Sequence, residues 1–275
     1  MHPGALCHTR RRPTITIPHM AASAANSRVL RWLGSDADLT GLRSGLSGAD
    51  KRVAFALVYT ALVLALEEYF FTFAAVKRHG WLSGVGTGSQ DLGAGLVWVA
   101  SLLVFYLLIP AIIVRVWHRE PLASIGWNMR GLVRHLRAYL PLYALVLPLV
   151  VLASHGAAFA RTYPFVASAR TDLTTFLLWE CAYAVSFLAL EAFFRGYLLF
   201  TCAARMGWLS VFVMVVPYTM IHFHKPWPEC LGAIAAGLTL GVLALAFRSF
   251  WGGVVVHAMV ALTMDILAVH HAGLF

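Results

Sequence analysis

The sequence predicts an all-α fold, a polytopic membrane helical bundle of about seven transmembrane spans. Of its 275 residues, 60% are hydrophobic and only 12% are charged, whereas about a quarter of the residues in a soluble domain are charged. Mean hydropathy is +0.75. Seven apolar stretches each approach the ~20 residues that a helix needs to cross the ~30 Å hydrocarbon core of a bilayer.

The apolar stretches follow a polar N-terminal segment. Residues 1–52 carry eight Lys or Arg against three Asp and contain no apolar core of the kind that a signal peptide needs, so we interpret them as a flexible basic cytoplasmic tail. We expect three N-terminal spans within residues 53–172 and a core of four spans within residues 173–275. The stretches run over 53–76, 92–114, 139–159, 173–197, 208–222, 230–247 and 251–269.

The distribution of lysine and arginine predicts the orientation of the chain. With the N-terminus inside, the inner segments hold fifteen basic residues and the outer segments five. Because cytoplasmic loops of membrane proteins are enriched in Lys and Arg, we expect a cytoplasmic N-terminus in a bacterial-type inner membrane. The same enrichment accounts for the net charge of +9. The expected partners are therefore the lipid bilayer and a membrane-associated substrate, and not nucleic acid.

The fourth and fifth stretches place ionisable side chains inside apolar runs. Glu191 lies 16 residues before Gly207 and His222 lies 15 residues after it. If the chain turns near Gly207, both side chains lie about 23 Å along their helices from the turn. A carboxylate and an imidazole at one depth can activate water. Arg195, one helical turn after Glu191, can hold the carboxylate ionised, although a purely structural ion pair is the alternative.

Three further polar residues are candidate accessory groups. Asp265 lies eight residues after His257 in the last stretch, on a neighbouring helical face; a polar residue near the outer interface is the alternative. His224 and Glu229 lie in the polar segment between the fifth and sixth stretches. They could line the mouth of a cavity, or they could belong to a solvated outer loop.

The order of these motifs resembles the CPBP family, which includes the type II CAAX prenyl proteases and the bacteriocin-processing or Abi proteins. That family has a paired Glu-Glu, then three residues and Arg-Gly, then Phe-x-x-x-His, and finally His-x-x-x-Asn/Asp. The corresponding residues here are Leu190-Glu191-Ala-Phe-Phe-Arg195-Gly196, Tyr218-Thr-Met-Ile-His222 and His257. The resemblance covers about residues 173–269.

The resemblance implies an intramembrane endopeptidase that cleaves a membrane-associated protein or peptide with water activated by glutamate and histidine. We predict Glu191 as the general base, because it is paired with an imidazole at equal depth, and Arg195 as the electrostatic partner of that carboxylate. His222 and His257 would orient water or stabilise the oxyanion. The resemblance also raises a metalloprotease-like site with a divalent metal, zinc, as a cofactor, which these residues alone do not decide.

Three positions depart from the family pattern, of which Tyr218 in place of the usual Phe is a mild change. Leu190 stands where the family has the first Glu, which is generally assigned as the water-activating base, and Ala261 stands where it has Asn or Asp. Asp265, one turn later, is the residue that could replace the polar group missing at 261. These departures leave open a catalytically inactive membrane scaffold or immunity protein. A proton-coupled carrier is disfavoured, because no inverted repeat is visible.

A second acidic pair, Glu67-Glu68, lies within the first apolar stretch. It is followed by Tyr-Phe-Phe and thus mimics the paired-Glu motif, but Thr72 occupies the Arg position and no histidine follows at hairpin spacing. We therefore interpret this pair as unrelated to the site.

Overall fold

The structure, a computed structural model, describes residues 47–82 and 87–274. The described residues contain no strand, so the predicted all-α class is confirmed. Nearly all of the predicted tail, residues 1–46, lies outside the described residues. The first helix begins at Gly48, five residues before the start of the first predicted apolar stretch.

Eleven α-helices are present in the described residues. They are α1 (Gly48–Leu66), α2 (Phe73–Arg78), α3 (Thr87–Leu102), α4 (Ile109–Ile112), α5 (Leu132–Ser154), α6 (Ala157–Thr162), α7 (Leu173–Glu191), α8 (Leu199–Met206), α9 (Ser210–Met220), α10 (Trp227–Phe247) and α11 (Trp251–His271). Four π-helical segments extend or join them: Glu67–Phe71, Leu103–Leu108, Ile113–His118 and Ala192–Leu198. Short 3₁₀ turns span Leu122–Ile125, Ala167–Arg170 and Gly207–Leu209.

Six helical runs in the described residues are long and apolar enough to cross a membrane: Gly48–Phe71, Gln90–His118, Leu132–Ser154, Leu173–Met220, Trp227–Phe247 and Trp251–His271. The fourth run reverses near Gly207, whose φ is +57°. The Arg195 guanidinium lies 3.8 Å from the centroid of the Tyr218 ring, whereas a straight helix would separate these residues by about 35 Å. The six runs and this reversal together account approximately for the seven predicted stretches.

Two glycines let α9 and α10 approach closely. A Cβ atom at Gly237 would lie 3.0 Å from Val215, and one at Gly241 would lie 2.9 Å from Met214. As the residue number rises along α10, its neighbour on α9 falls, so the two helices run antiparallel. Small residues four positions apart allow such close packing where the hydrophobic effect does not drive helices together. The connection that contains His222 is held between them.

The last helix, α11, packs against both α5 and α7. A Cβ atom at Gly252 would lie only 2.3 Å from Cε2 of Tyr139 on α5, and the Tyr139 ring is 1% exposed. On its other side α11 contacts α7 through a hydrogen bond between His257 and Glu191. α11 can therefore approach Tyr139 this closely because residue 252 is a glycine.

We expect Gly252→Ala to lower the free energy of unfolding by about 1–3 kcal/mol, because the added methyl group overpacks a buried ring that cannot move aside. The measurement is the midpoint of thermal unfolding of the purified protein in detergent. Gly232→Ala is the matched control, because nothing lies within 4 Å of a Cβ at Gly232. Equal midpoints for the two variants would contradict this account of the α5–α11 contact.

Candidate active site

A cavity of about 280 Å³ lies among α1, α3, α7, α11 and the connection between α9 and α10. Aromatic side chains form much of its wall, namely Trp98, Tyr106, Phe165, Tyr183 and Phe187. Its ionisable side chains are Glu67, Glu68, His222, His224, Lys225 and His257. A larger groove of about 450 Å³ beside Trp208 is lined by apolar residues and one threonine. The first cavity is thus the one equipped for chemistry.

Glu191 lies directly behind this cavity, at the C-terminal end of α7, and its side chain is fully buried. Its Oε1 atom is 3.0 Å from Nη1 of Arg195 and 3.0 Å from Nδ1 of His257. A Cβ atom at Gly253 would lie 2.5 Å from Oε2 of Glu191. The glycine therefore makes room for the carboxylate, which is enclosed by its partners and does not line the cavity.

Arg195 balances the charge of Glu191. Its side chain is also 0% exposed, and its guanidinium lies 3.8 Å from the centroid of the Tyr218 ring. The residue lies in the π-helical segment Ala192–Leu198 that continues α7. The ion pair with Glu191 and the cation–π contact with Tyr218 offset part of the cost of burying this guanidinium. Arg195 thus links the end of α7 to α9.

The two histidines present the same tautomer to the cavity. Nδ1–H of His257 donates to Glu191, because a carboxylate only accepts. Nδ1–H of His222 donates to the Tyr218 carbonyl at 2.9 Å. Burial, with the neighbouring Lys225, lowers the pKa of His222 to about 2, so that ring is neutral. Each imidazole is left with Nε2 as its free acceptor.

The structure places Asp265 away from the cavity. Its side chain is fully buried and accepts a 3.0 Å hydrogen bond from Nε1 of Trp179. Asp265 does not line the cavity, so the structure does not bring it to the site in place of the polar residue missing at Ala261. Asp265 lies about two helical turns beyond His257 on α11 and contacts α7 at Trp179.

The other two accessory candidates lie near the rim. His224 lines the cavity, but its side chain is 81% exposed and lies 3.2 Å from Glu68. Glu229 does not line the cavity, but its Oε1 accepts a 2.8 Å hydrogen bond from Lys225, which does. The polar connection between α9 and α10 therefore lines the cavity in part, while some of its side chains, such as His224, are largely exposed on the protein surface.

The interpretation of the Glu67-Glu68 pair as unrelated to the site is wrong, because both residues line the cavity. The structure brings Glu67 to the same cavity as His222, His257 and Leu190, and it is 6% exposed. Leu190 leaves an apolar wall where the family pattern has a carboxylate, and Glu67 supplies a carboxyl group from another helix. The available signal was a carboxylate within a predicted membrane span, which suggests a functional residue. The family motifs lie within residues 173–269, so they do not predict a contact between the first span and α7.

The residues present do not fit a metal centre. In the described part of the chain, no group of three His, Cys, Asp or Glu side chains is placed to hold a metal ion. Oε1 of Glu191 is already engaged by a cation and an imidazole. The site chemistry is accordingly derived from the side chains alone.

Residues 172–263 match the family model for type II CAAX prenyl endopeptidase Rce1-like proteins. This match confirms the predicted resemblance and supports a CAAX-type protease of the membrane as the kind of function. It covers about a third of the chain and contains Glu191, Arg195, His222 and His257, while Glu67 lies outside it. No curated protein and no solved structure matches the chain.

We expect Arg195→Met to lower the free energy of unfolding by about 3–5 kcal/mol, because it leaves the buried Glu191 carboxylate without its cation. Adding Glu191→Gln should restore part of this loss, so the double variant should be more stable than Arg195→Met. Thermal unfolding in detergent measures both effects.

The exposed pair of Arg205 and Asp50, 2.8 Å apart, supplies the control for that comparison. Arg205→Met should change the free energy of unfolding by less than about 1 kcal/mol, as surface pairs do. If Arg195→Met were no more destabilising than Arg205→Met, the buried pair would not carry the stability assigned to it.

Proposed function

We propose that the chain is an intramembrane endopeptidase that hydrolyses a peptide bond in a membrane-associated protein or peptide. The observation that carries the proposal is a buried carboxylate–imidazole pair, Glu191 and His257, whose imidazole lines a cavity shared with His222. The match of residues 172–263 to a CAAX-type endopeptidase family supports the same class of reaction.

In this mechanism a cavity water is held between the Nε2 atoms of His222 and His257. As the water oxygen attacks the carbonyl carbon of the scissile bond, Nε2 of His257 accepts one of its protons. The resulting imidazolium faces the tetrahedral oxyanion and can then stabilise it. The histidines therefore act first as acceptors, and an oxyanion-stabilising role begins only after the proton has moved.

Glu191 acts through His257 in this mechanism. Because its carboxylate accepts from Nδ1–H, it fixes the ring orientation and favours the imidazolium that forms during attack. Arg195 keeps that carboxylate charged when the ring is neutral. The general-base role predicted for Glu191 thus passes to His257, since Glu191 is fully buried and does not line the cavity.

The cavity walls support an apolar, membrane-associated substrate. Phe165, Phe187 and Trp98 line the cavity beside the histidines, and apolar pockets bind ligands chiefly through such surfaces. The family description names prenylated CAAX substrates. We propose a C-terminal peptide that carries a lipid-modified cysteine as the first substrate to test.

We expect His257→Gln and Glu191→Gln each to lower kcat by about 10² to 10⁴ with little change in KM, because each removes part of the water-activating pair. The assay uses full-length protein in liposomes with an internally quenched peptide that has farnesyl-cysteine four residues from its C-terminus. The same peptide without the farnesyl group tests whether the lipid is recognised.

His118→Gln is the matched control for this assay. His118 is also buried, at 6% exposed, but it does not line the cavity. Full activity of His257→Gln would overturn the mechanism. Inert wild type on both peptides, together with no accumulated substrate in the membrane proteome of cells making Glu191→Gln, would favour the inactive scaffold instead.

We also propose an inner-membrane location with a cytoplasmic N-terminus and an exported C-terminus, supported by the fifteen-to-five distribution of basic residues. A phosphatase fused after Phe275 should then be active in the periplasm. A green fluorescent protein fused at the same point should be dark if exported through the usual unfolded route. The reverse pair of results would contradict the proposed orientation.

A further inference from the structure

Glu67 is the buried carboxyl group of the cavity that the proposed mechanism does not use. It begins the π-helical segment Glu67–Phe71 at the end of α1. Its Oε2 accepts a 2.9 Å hydrogen bond from the Ser101 hydroxyl, and its Oε1 has no hydrogen-bond partner among the residues that the structure describes. Because a buried polar atom without a partner is costly, this oxygen is suited to a cavity water or to a substrate.

The surroundings of Glu67 differ from those of Glu191 in one respect. Glu191 is held by Arg195, whereas in the described part of the chain the polar contact recorded for the Glu67 carboxyl is the Ser101 hydroxyl. A hydroxyl brings no positive charge. An ionised carboxylate in an apolar wall needs a cation, so this wall accommodates the neutral acid.

Hydrolysis of an amide also needs a proton donor, because an amine anion is a very poor leaving group. In the resting site Nδ1–H of His222 and of His257 is already donated to protein acceptors, and Nε2 of each ring is an acceptor. Neither ring can therefore donate to the substrate at the start. The cavity contains one carboxyl group that is buried and lacks a counter-ion, that of Glu67.

We propose that Glu67 is a catalytic residue of this site, a general acid that delivers the proton to the leaving amine. The proposal rests on the proposed function, since it assigns a partner to the water-activating His257. Ser101 is its positioning residue, because its hydroxyl holds Oε2 and leaves Oε1 for the substrate.

The proton transfers balance over one turnover. Water attacks the carbonyl carbon, and His257 takes a proton from that water. The carbon–nitrogen bond then breaks as the Glu67 carboxylic acid donates its proton to the nitrogen, and the amine and the new carboxylic acid leave. The His257 imidazolium returns its proton through a cavity water to the Glu67 carboxylate, which restores both groups.

A general acid can be distinguished from a structural residue by changing the leaving group. The probes are the quenched farnesyl-cysteine peptide and the same peptide with a thioester at the bond that wild type cleaves. A thiolate leaves without protonation. We expect Glu67→Gln to lower kcat about 10² to 10⁴-fold on the amide and less than about tenfold on the thioester, whereas His257→Gln should slow both probes.

Two further variants control the comparison. Glu180→Gln alters another intramembrane carboxyl group that does not line the cavity, and it should stay within about threefold of wild type on both probes. Glu67→Gln combined with Leu190→Glu should regain at least about tenfold on the amide, because residues 67 and 190 line the same cavity. For comparison, loss of a general acid is expected to lower the rate by about 10² to 10⁴-fold.

Equal losses for Glu67→Gln on amide and thioester would overturn the proposal, as would wild-type activity of Glu67→Gln on the amide. If wild type cleaves neither probe, the proposed function is wrong. A second measurement then tests whether Glu67 is a neutral carboxylic acid in the cavity. Dicyclohexylcarbodiimide adds to protonated carboxyl groups in apolar surroundings. A mass-spectrometric adduct at Glu67 in wild-type liposomes supports the neutral cavity acid, and an unmodified Glu67 overturns it.

Discussion

The site depends on the burial of one negative charge, that of Glu191, inside a membrane bundle. A lone carboxylate at this depth would be strongly destabilising. Two helices solve this together: the π-helical extension of α7 brings Arg195 within 3.0 Å, and α11 brings His257 to the same oxygen while its Gly253 leaves space for the carboxylate. Any arrangement that satisfies Glu191 must therefore hold α7 and α11 in register. The stability of the core and the orientation of the His257 ring follow from the same contacts.

The π-helical segments help to aim these side chains. Glu191 is the last α-helical residue before the segment Ala192–Leu198, and Glu67 is the first residue of the segment Glu67–Phe71. A π turn adds a residue to the helical repeat, which rotates the following side chains relative to an α-helix, and such turns are frequent at functional sites. The two carboxyl groups of the site thus both stand where an α-helix changes its winding. At such a position a helix can keep its apolar face packed and still direct a polar side chain toward the site.

The parts of this site that were predictable are those encoded locally. Hydropathy located the spans, since each must cover the hydrocarbon core by itself, and Gly207 located the turn that brings His222 back toward the depth of Glu191. Asp265 and Glu67 were beyond such reasoning. Asp265 lies at a reasonable depth but contacts Trp179, because an offset of eight residues from His257 also moves it two turns along the helix. Glu67 reaches the cavity through the contact of the segment Glu67–Phe71 with α3, where Ser101 lies 34 residues away in the chain, and no local sequence pattern predicts that contact.

Glu191 and Glu67 have different surroundings, which indicates that the two carboxyl groups have different roles. Glu191 is paired with a cation and an imidazole, so it is suited to remain charged and to steady a ring that gains a proton. Among the described residues Glu67 is held by a hydroxyl and by no cation, so it is suited to carry a proton and release it. Groups placed in environments that favour opposite protonation states are the usual arrangement for an acid and a base. On this reasoning Leu190 need not mark a lost activity. A carboxyl group at 190 would enter the cavity from α7, next to Glu191 in the chain, whereas Glu67 enters it from the segment that follows α1; either position can supply the cavity with a carboxyl group.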